Sequence, residues 1–228
     1  SLSKEIAQIG DLERIISKVA LKRINPRELI QLSIALKSIN RIQKLCTDSK
    51  DDSISQYAQN LINSDEIIGL IDSHISEDAP VVVSKGGIFK LGVNDELDEY
   101  ISISKNSKDH LIGIKNRESE RTQISSLKLA YNNVYGYYLE VTHTHKDKVP
   151  EDWIRKQTLV NAERYVTPEL KVLEEKILLA KSKISEIESG LYSSFIDNLI
   201  VYVTQIQKNA SYIAELDCLK SFAQVAKQ

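Results

Sequence analysis

The sequence predicts a mainly α-helical protein in which long antiparallel helices carry a small inserted β-rich domain. Glycine and proline are scarce, with 8 and 4 among 228 residues, and apolar residues recur at helical spacing through most of the chain. Only residues 126–168 are rich in Tyr, Val and Thr at alternating positions, the pattern typical of strands, and this stretch contains the only Trp. Helical patterns lie on both sides of the stretch, so it is predicted to be an insertion.

Two helix starts are clear in the N-terminal part. Asp11 precedes apolar residues at helical spacing and is suited to cap them. Asn25, Pro26 and Glu28 combine a capping side chain, a proline at the first helical position and an acid in the first turn. After a polar connection at residues 50–53, the pattern predicts two shorter amphipathic helices.

The middle of the chain predicts a short strand, a turn and then a long helix. Three consecutive valines at 81–83 favour a strand. Gly86 and Gly87 indicate a turn, and they do not form a phosphate-binding loop because no Lys-Ser or Lys-Thr begins a helix after them. A highly charged helix is predicted over residues 94–122, and its few apolar residues suggest that it packs on a partner along a narrow stripe.

The partner helix follows the β-rich stretch. Apolar residues from Leu170 to Ile206 step by three and four, which predicts one long helix with a coiled-coil seam. A step of four at Phe195 lets the seam drift, and Gly190 marks a bend or a close approach of another helix. One helix therefore runs out to the β-rich stretch and the other returns, so the stretch is the tip of an antiparallel arm.

The tip contains three predicted strands, at Leu127–Asn132, Gly136–Thr142 and Thr158–Val166. The first two flank Asn133–Tyr135, which is predicted to be the tight turn of a hairpin. The third is reached by a loop from His143 to Trp153. The cluster of Tyr131, Tyr135, Tyr137 and Tyr138 could stack on nucleic-acid bases, but alternation along a strand favours burial of about half of these rings under the sheet.

The tip has a small net positive charge, unlike the rest of the chain. Residues 115–165 contain nine Lys and Arg against seven Asp and Glu, whereas the whole chain has a formal charge of −2. The cations lie beside Thr and Asn donors in two segments, with His143, His145, Lys146 and Lys148 in one loop and Arg155 and Lys156 just before Thr158 and Asn161. Such groups suit phosphate oxygens and carry no base sequence.

Other chemistry finds little support. His143 and His145 could supply half of a metal site, but no third ligand is near in sequence, so an exposed pair without metal is predicted. No motif of an ATP-binding loop, an esterase or a zinc protease occurs, so the chain is not expected to be an enzyme. Cys46 and Cys218 are far apart and are predicted to be buried apolar residues on helices.

The chain as a whole is predicted to be cytoplasmic. No apolar run reaches the roughly 18 residues of a membrane span, and no signal-peptide pattern opens the chain. The chain contains no Met, including no initiator. That absence predicts an excised piece of a longer protein.

Several motifs resemble one known family. GDLERI at 10–15, NDELDEY at 94–100 after a Gly-Gly pair, YNNVYGYYLEVT at 131–142 and RKQTLVNAERYVTPEL at 155–170 resemble the central part of bacterial MutS DNA mismatch repair proteins. The resemblance covers essentially the whole chain. It implies core or lever helices at 1–107, a clamp domain at 108–167 and further lever helices at 168–228.

The family resemblance implies a function for the tip. A clamp of this family contacts the backbone of double-stranded DNA without sequence preference, and Asn161 with the loop around Thr144 and His145 resembles its contact positions. Many members carry Lys or Arg where this chain has Val160, so the cation for one expected phosphate contact is missing here. Lys146, Arg155 and Lys156 are added on electrostatic grounds.

The resemblance also implies what other parts of such a protein supply. Levers of this family connect the clamp to an ATPase that uses ATP and Mg and forms a homodimer, alongside mismatch-binding and connector domains. This chain has no Phe-x-Glu triplet for reading mismatches and no ATP site, so it needs no cofactor of its own. The alternative hypothesis is a coiled-coil arm whose tip binds protein, as a scaffold or hinge, which would not need the basic loops.

Overall fold

The computed structural model describes residues 2–226. The helices are α1 (Leu2–Ile9), α2 (Leu12–Ala20), α3 (Pro26–Thr47), α4 (Asp52–Ala58), α5 (Asp65–His74), α6 (Asp95–Thr122), α7 (Pro168–Ile200) and α8 (Val203–Val225), with 3-10 helices at Val83–Lys85 and His143–Lys148. The strands are β1 (Lys128–Asn132), β2 (Gly136–Thr142), β3 (Ile154–Thr158) and β4 (Ala162–Val166). Over residues 2–226, none of these helices combines the length and apolar character that a membrane span requires.

The chain forms two compact units. One contains the residues up to Val93 together with those from Ile187 onward, and the other is Asn94–Glu186. The first is entirely helical apart from its loops and one isolated antiparallel bridge between Ile75 and Phe89. The second contains α6, the four strands and the first part of α7.

The predicted helix starts are confirmed. Asp11 accepts a hydrogen bond from the backbone N–H of Arg14 at 3.0 Å and begins α2. Asn25 and Glu28 form a reciprocal capping box at the start of α3, in which each side chain accepts a backbone N–H that the helix leaves without a partner. The side chain of Asn94 caps α6 by accepting the backbone N–H of Leu97 at 2.8 Å, and α6 ends at Thr122 as predicted.

The predicted strand at residues 81–83 is wrong. Val81 and Val82 are about half exposed, and Val83 begins a 3-10 helix. A strand needs a neighbour for its backbone groups, and among the described residues of this unit the only bridge joins Ile75 to Phe89 instead. β-branched residues alone therefore do not make a strand here.

The loop that contains Gly86 and Gly87 binds a carboxylate of its own unit. Both glycines have positive φ, 70° and 80°, which glycine adopts at little steric cost. The backbone N–H groups of Gly87 and Ile88 donate to the carboxylate of Glu188, which is only 1% exposed, at 2.8 to 3.0 Å. The loop and α7 are thereby joined within this unit.

The prediction of a single helix from Leu170 to Ile206 is also wrong. α7 ends at Ile200, and the N–H of Tyr202 bonds to the carbonyl of Leu199, three residues back, so the α-helical ladder is interrupted. After this turn α8 buries Ile206 and Ile213 in the core of the unit. Gly190 is exposed, and a Cβ built there meets nothing within 4 Å, so the predicted close approach of another helix does not occur.

The two cysteines differ. Cys46 is buried on α3, as predicted, whereas Cys218 on α8 is exposed, so the prediction of burial fails for Cys218. Both thiols are free, and burial raises the pKa of the Cys46 thiol.

The four strands form one antiparallel sheet in the order β1-β2-β4-β3. The predicted hairpin is confirmed, because β1 and β2 pair across residues 133–135. The prediction of one strand at Thr158–Val166 is wrong. These residues comprise the end of β3, a turn at residues 159–161 and all of β4. The backbone N–H of Leu159 donates to the carbonyl of Ala162 at 2.8 Å and closes this turn.

Helices α6 and α7 run antiparallel beside the sheet. Arg117, near the end of α6, pairs with Glu169 at the start of α7, while Ile103 near the other end of α6 and Ala180 line one groove. The core of this unit takes residues from both helices and from the sheet: Leu111, Ile114, Ile124, Leu127, Leu139, Val141, Trp153, Tyr165, Leu170, Leu173 and Ile177. The fold is therefore mainly α with a small inserted β sheet, as predicted.

Candidate nucleic-acid interface

The two basic segments lie at the same end of the sheet. β2 leads directly into the 3-10 helix His143–Lys148. The turn at residues 159–161 leads into β4, and Thr142 at the end of β2 pairs with Ala162 at the start of β4. Antiparallel pairing of β2 with β4 thus places the 3-10 helix beside the β3–β4 turn.

Hydrogen bonds of His143 connect the segments directly. Its backbone N–H donates to the carbonyl of Asn161 at 3.2 Å, and its ring Nε2 lies 3.0 Å from the carbonyl oxygen of Leu159. Both His143 and His145 are half-buried. Between residues 2 and 226 no three or more His, Cys, Asp or Glu side chains are grouped to hold a metal ion.

Two of the predicted cations are fully available to a ligand. The side chains of Lys146 and Lys156 are exposed, and neither forms an ion pair or hydrogen bond with another residue in the described range. The exposed polar residues near them are Thr144, Thr158 and Asn161. Lysine ammonium groups beside hydroxyl and amide donors are suited to bind phosphate oxygens.

Lys156 owes its position to an irregularity of β3. The strand is at the edge of the sheet, and its register with β4 shifts between Arg155 and Gln157. Lys156 therefore has no partner across the ladder. A bulge of this kind bends an edge strand and redirects its side chains.

Arg155 differs from the two free lysines because it is paired. Its Nη1 lies 3.3 Å from the Oε1 of Glu163, a carboxylate with a side chain only 10% exposed. The hydroxyl of Tyr165 also donates to Glu163. This hydrogen bond and the Arg155 charge hold the pKa of Glu163 below its usual range, although burial acts in the opposite direction. The positive charge of Arg155 is consequently balanced in part.

Lys148 contacts the end of a helix. Its Nζ donates to the backbone carbonyl of Gln123 at 3.2 Å. Gln123 is the left-handed residue (φ 54°) that ends α6, where carbonyl groups lack partners and a cation is favourable. Lys148 is exposed, yet it also fastens the 3-10 helix to α6.

Three tyrosines of the sheet make contacts within the protein. Tyr138 is only 5% exposed, and the guanidinium of Arg164 lies 4.5 Å from the centre of its ring. Tyr137 packs against the core, and the ring of Tyr131 meets it edge-on at 5.0 Å. This arrangement agrees with a packing role rather than with stacking on bases.

Sequence reasoning missed a buried carboxylate near this surface. Glu118 on α6 is 6% exposed and accepts a hydrogen bond from the indole of Trp153 at 3.3 Å. Arg121 lies 3.2 Å from the same carboxylate. The signal was present, because Glu118 follows the buried Leu111 and Ile114 by seven and four residues, on the same helix face.

Comparison with known proteins identifies the family. The family model of MutS family domain IV matches residues 92–183. The chain is similar to the DNA mismatch repair proteins MutS of Bacteroides thetaiotaomicron (52% identity over 227 residues) and Porphyromonas gingivalis (44% over 227), aligned over 100% of this chain and 26% of each relative. For the MutS of Flavobacterium johnsoniae the identity is 49% over 226 residues, which are 99% of this chain and 26% of the relative.

The chain belongs to the MutS family. It spans about a quarter of the length of these curated MutS relatives. The match to MutS domain IV includes α6, the whole sheet and all nine candidate residues. The resemblance predicted from the sequence motifs is confirmed.

Proposed function

We propose that this chain is the part of a DNA mismatch repair protein that holds the DNA phosphate backbone without reading base sequence. The observation that carries the proposal is the placement of Lys146 and Lys156, two exposed and unpaired cations, on segments that adjoin at one end of the sheet. The name of the similar proteins, DNA mismatch repair protein MutS, supports the choice of DNA as the ligand.

The residue types at this surface favour phosphate over base edges. Lysines, threonines and an asparagine on a short 3-10 helix and an edge strand can reach phosphate oxygens from outside the duplex. Contacts of this kind fix the position of a protein on DNA and contribute little sequence discrimination. The proposed surface comprises the predicted residues: His143, Thr144, His145, Lys146, Lys148, Arg155, Lys156, Thr158 and Asn161.

We assign the helices of the chain to a lever that links this clamp to other domains. In this proposal the clamp is residues 108–167, and residues 1–107 and 168–228 are core and lever helices. Mismatch binding, ATP hydrolysis with Mg and homodimer formation belong to other parts of the parent protein, which acts in the cytoplasm. This chain itself then catalyses no reaction.

The test is a double charge reversal, Lys146→Glu with Lys156→Glu, in the complete polypeptide. Binding to matched and mismatched duplexes should weaken equally, and the slope of log affinity against log salt should fall by about two, since two phosphate contacts are lost. Lys105→Glu with Lys181→Glu is the control. These exposed lysines of α6 and α7 lie far from the sheet end of the helices, so the control should keep the slope of the native protein.

An unchanged salt slope in the double variant would contradict the proposal. A protein partner could instead bind tightly, with an affinity that neither the double variant nor the control changes. That result would favour the alternative, an arm whose tip binds protein.

A further inference from the structure

We infer that His143 is a positioning residue of the phosphate-binding surface, and that it acts by binding the β3–β4 turn to the 3-10 helix. The inference rests on the proposed function, and it changes the role predicted for this histidine from a DNA ligand to an internal support. The residues that it positions are Thr158 at the end of β3 and Asn161 in the turn, relative to Lys146 on the 3-10 helix.

Three hydrogen bonds define the turn. The Nε2 of His143 is 3.0 Å from the carbonyl oxygen of Leu159. Because a carbonyl only accepts, Nε2 must carry the hydrogen. The backbone N–H of His143 donates to Asn161, and the N–H of Leu159 donates to Ala162. His143 therefore binds carbonyls on both sides of Val160, the residue in the middle of the turn.

The remaining structure explains why the turn needs this support. Residues 159–161 contain no glycine or proline to restrict the backbone, and Val160 at their centre is 92% exposed. Packing of the Val160 side chain therefore contributes almost nothing to holding the turn in place. If the turn were free to move, DNA binding would have to order it, and that ordering lowers affinity without removing a contact.

The same geometry argues against direct phosphate binding by His143. The ring is half-buried, and its Nε2–H is already used by Leu159. Lys146 and Lys156 present no such obstacle.

The first experiment measures amide hydrogen exchange in the complete polypeptide without DNA. His143→Ala should speed exchange of the amides of Leu159 and of residue 143 at least severalfold. His143→Gln should restore slow exchange, because Gln Nε2 is as many bonds from Cβ as His Nε2. His143→Asn should not restore it, since its shorter amide does not reach. The matched control is His145→Ala, which removes a neighbouring ring without a described hydrogen bond.

The second experiment measures binding to a fully matched, labelled DNA duplex over a range of salt concentrations. His143→Ala should lower the affinity by about fivefold, the usual effect of losing one hydrogen bond, and leave the salt slope unchanged. His143→Gln should bind like the native protein.

Different outcomes separate the inference from the proposed function. A salt slope lowered by about one in His143→Gln, with normal amide exchange, would identify His143 as a phosphate ligand and overturn the inference. Unchanged exchange in His143→Ala would also overturn it. If exchange changes as expected but the double reversal of Lys146 and Lys156 leaves DNA binding intact, the support is real and the proposed function fails.

Discussion

The indole of Trp153 donates to the carboxylate of Glu118 across 3.3 Å, and both side chains are buried. The contact joins the last turns of α6 to the segment that leads into β3. Arg121 strengthens it, since this residue lies 3.2 Å from Glu118 and 2.6 Å from Asp152, the neighbour of Trp153. The strand that carries Arg155 and Lys156 is thus fixed to the helix through its first residues.

We predict that Glu118→Ala destabilises this unit by about 2–3 kcal/mol, because the Trp153 N–H is then buried without an acceptor and Arg117 and Arg121 each lose one of two carboxylate partners. Trp153 is the only Trp of the chain, so its fluorescence during urea unfolding of the 228-residue chain measures the change. Glu120→Ala, at an exposed position of the same helix, is the control and should stay within about 0.5 kcal/mol. Equal effects in both variants would contradict a special role for Glu118.

Gly136→Ala should cost about 1–2 kcal/mol. Gly136 begins β2 with φ of 76°, a left-handed conformation that disfavours other residues by about this amount. An added Cβ would also lie 1.9 Å from a carboxylate oxygen of Glu174, so that flexible side chain has to move.

The control for Gly136 is Gly113→Ala on α6, where an added Cβ meets nothing within 4 Å. There alanine should stabilise by up to about 1 kcal/mol, because it favours helix. Unfolding of both variants, followed by Trp153 fluorescence, should therefore shift in opposite directions. A shift in the same direction would contradict the conformational argument.

The sequence predicts those parts of the fold that local chemistry determines. Asn25 and Asn94 are recognisable caps, and the residues at 133–135 form a turn between alternating strands, so these boundaries could be predicted. The turn at 159–161 could not, since it contains no Gly or Pro and depends on His143, sixteen residues from Leu159. The end of α7 at Ile200 could not be predicted either, because no Gly or Pro lies near it in the sequence.

The sequence predicts which residue types form the candidate site. It does not predict which of their side chains pair with other groups of the protein. Lys146 and Lys156 are exposed and unpaired, as a phosphate-binding role requires. Arg155 and Lys148, which looked equivalent in sequence, contact Glu163 and the Gln123 carbonyl. Those partners are brought near by the register of β3 with β4 and by the end of α6, which a linear sequence does not specify.

Glu28 should make the stability of its unit dependent on acid. Burial opposes its ionisation, but hydrogen bonds from Lys18 and from the N–H of Asn25 outweigh burial and lower its pKa below 4.5. A carboxyl group whose pKa is lower in the folded state than in the unfolded state stabilises the fold at any pH above the unfolded-state pKa. This stabilisation is lost as the pH falls below 4.5 and through the lower pKa of the folded state.

Glu28→Gln should therefore cost about 1–2 kcal/mol at neutral pH, and the difference from the native chain should shrink toward zero on acidification below about pH 4. Urea unfolding at several pH values, followed by far-ultraviolet circular dichroism, measures this. The control is Glu13→Gln, at an exposed position on α2, which should show a small difference at every pH. A Glu28 effect that grows in acid would contradict the sign of this linkage.

Val160→Lys should strengthen DNA binding. Val160 is 92% exposed at the centre of the turn between β3 and β4, so the substitution should change stability by less than about 0.5 kcal/mol. A cation there stands beside Asn161 and near the 3-10 helix with Lys146. We expect one additional phosphate contact, which raises affinity severalfold at moderate salt and steepens the salt slope by about one.

The matched control for Val160 is Val134→Lys. Val134 is also an exposed turn valine, at 78%, but its turn joins β1 to β2 at the opposite end of β2 from the 3-10 helix. It adds the same charge to the same unit, so it corrects for long-range attraction to DNA. Equal gains in the two variants would mean that net charge alone acts, whereas a gain confined to Val160→Lys would locate the DNA backbone at the end of the sheet where His143 binds the turn.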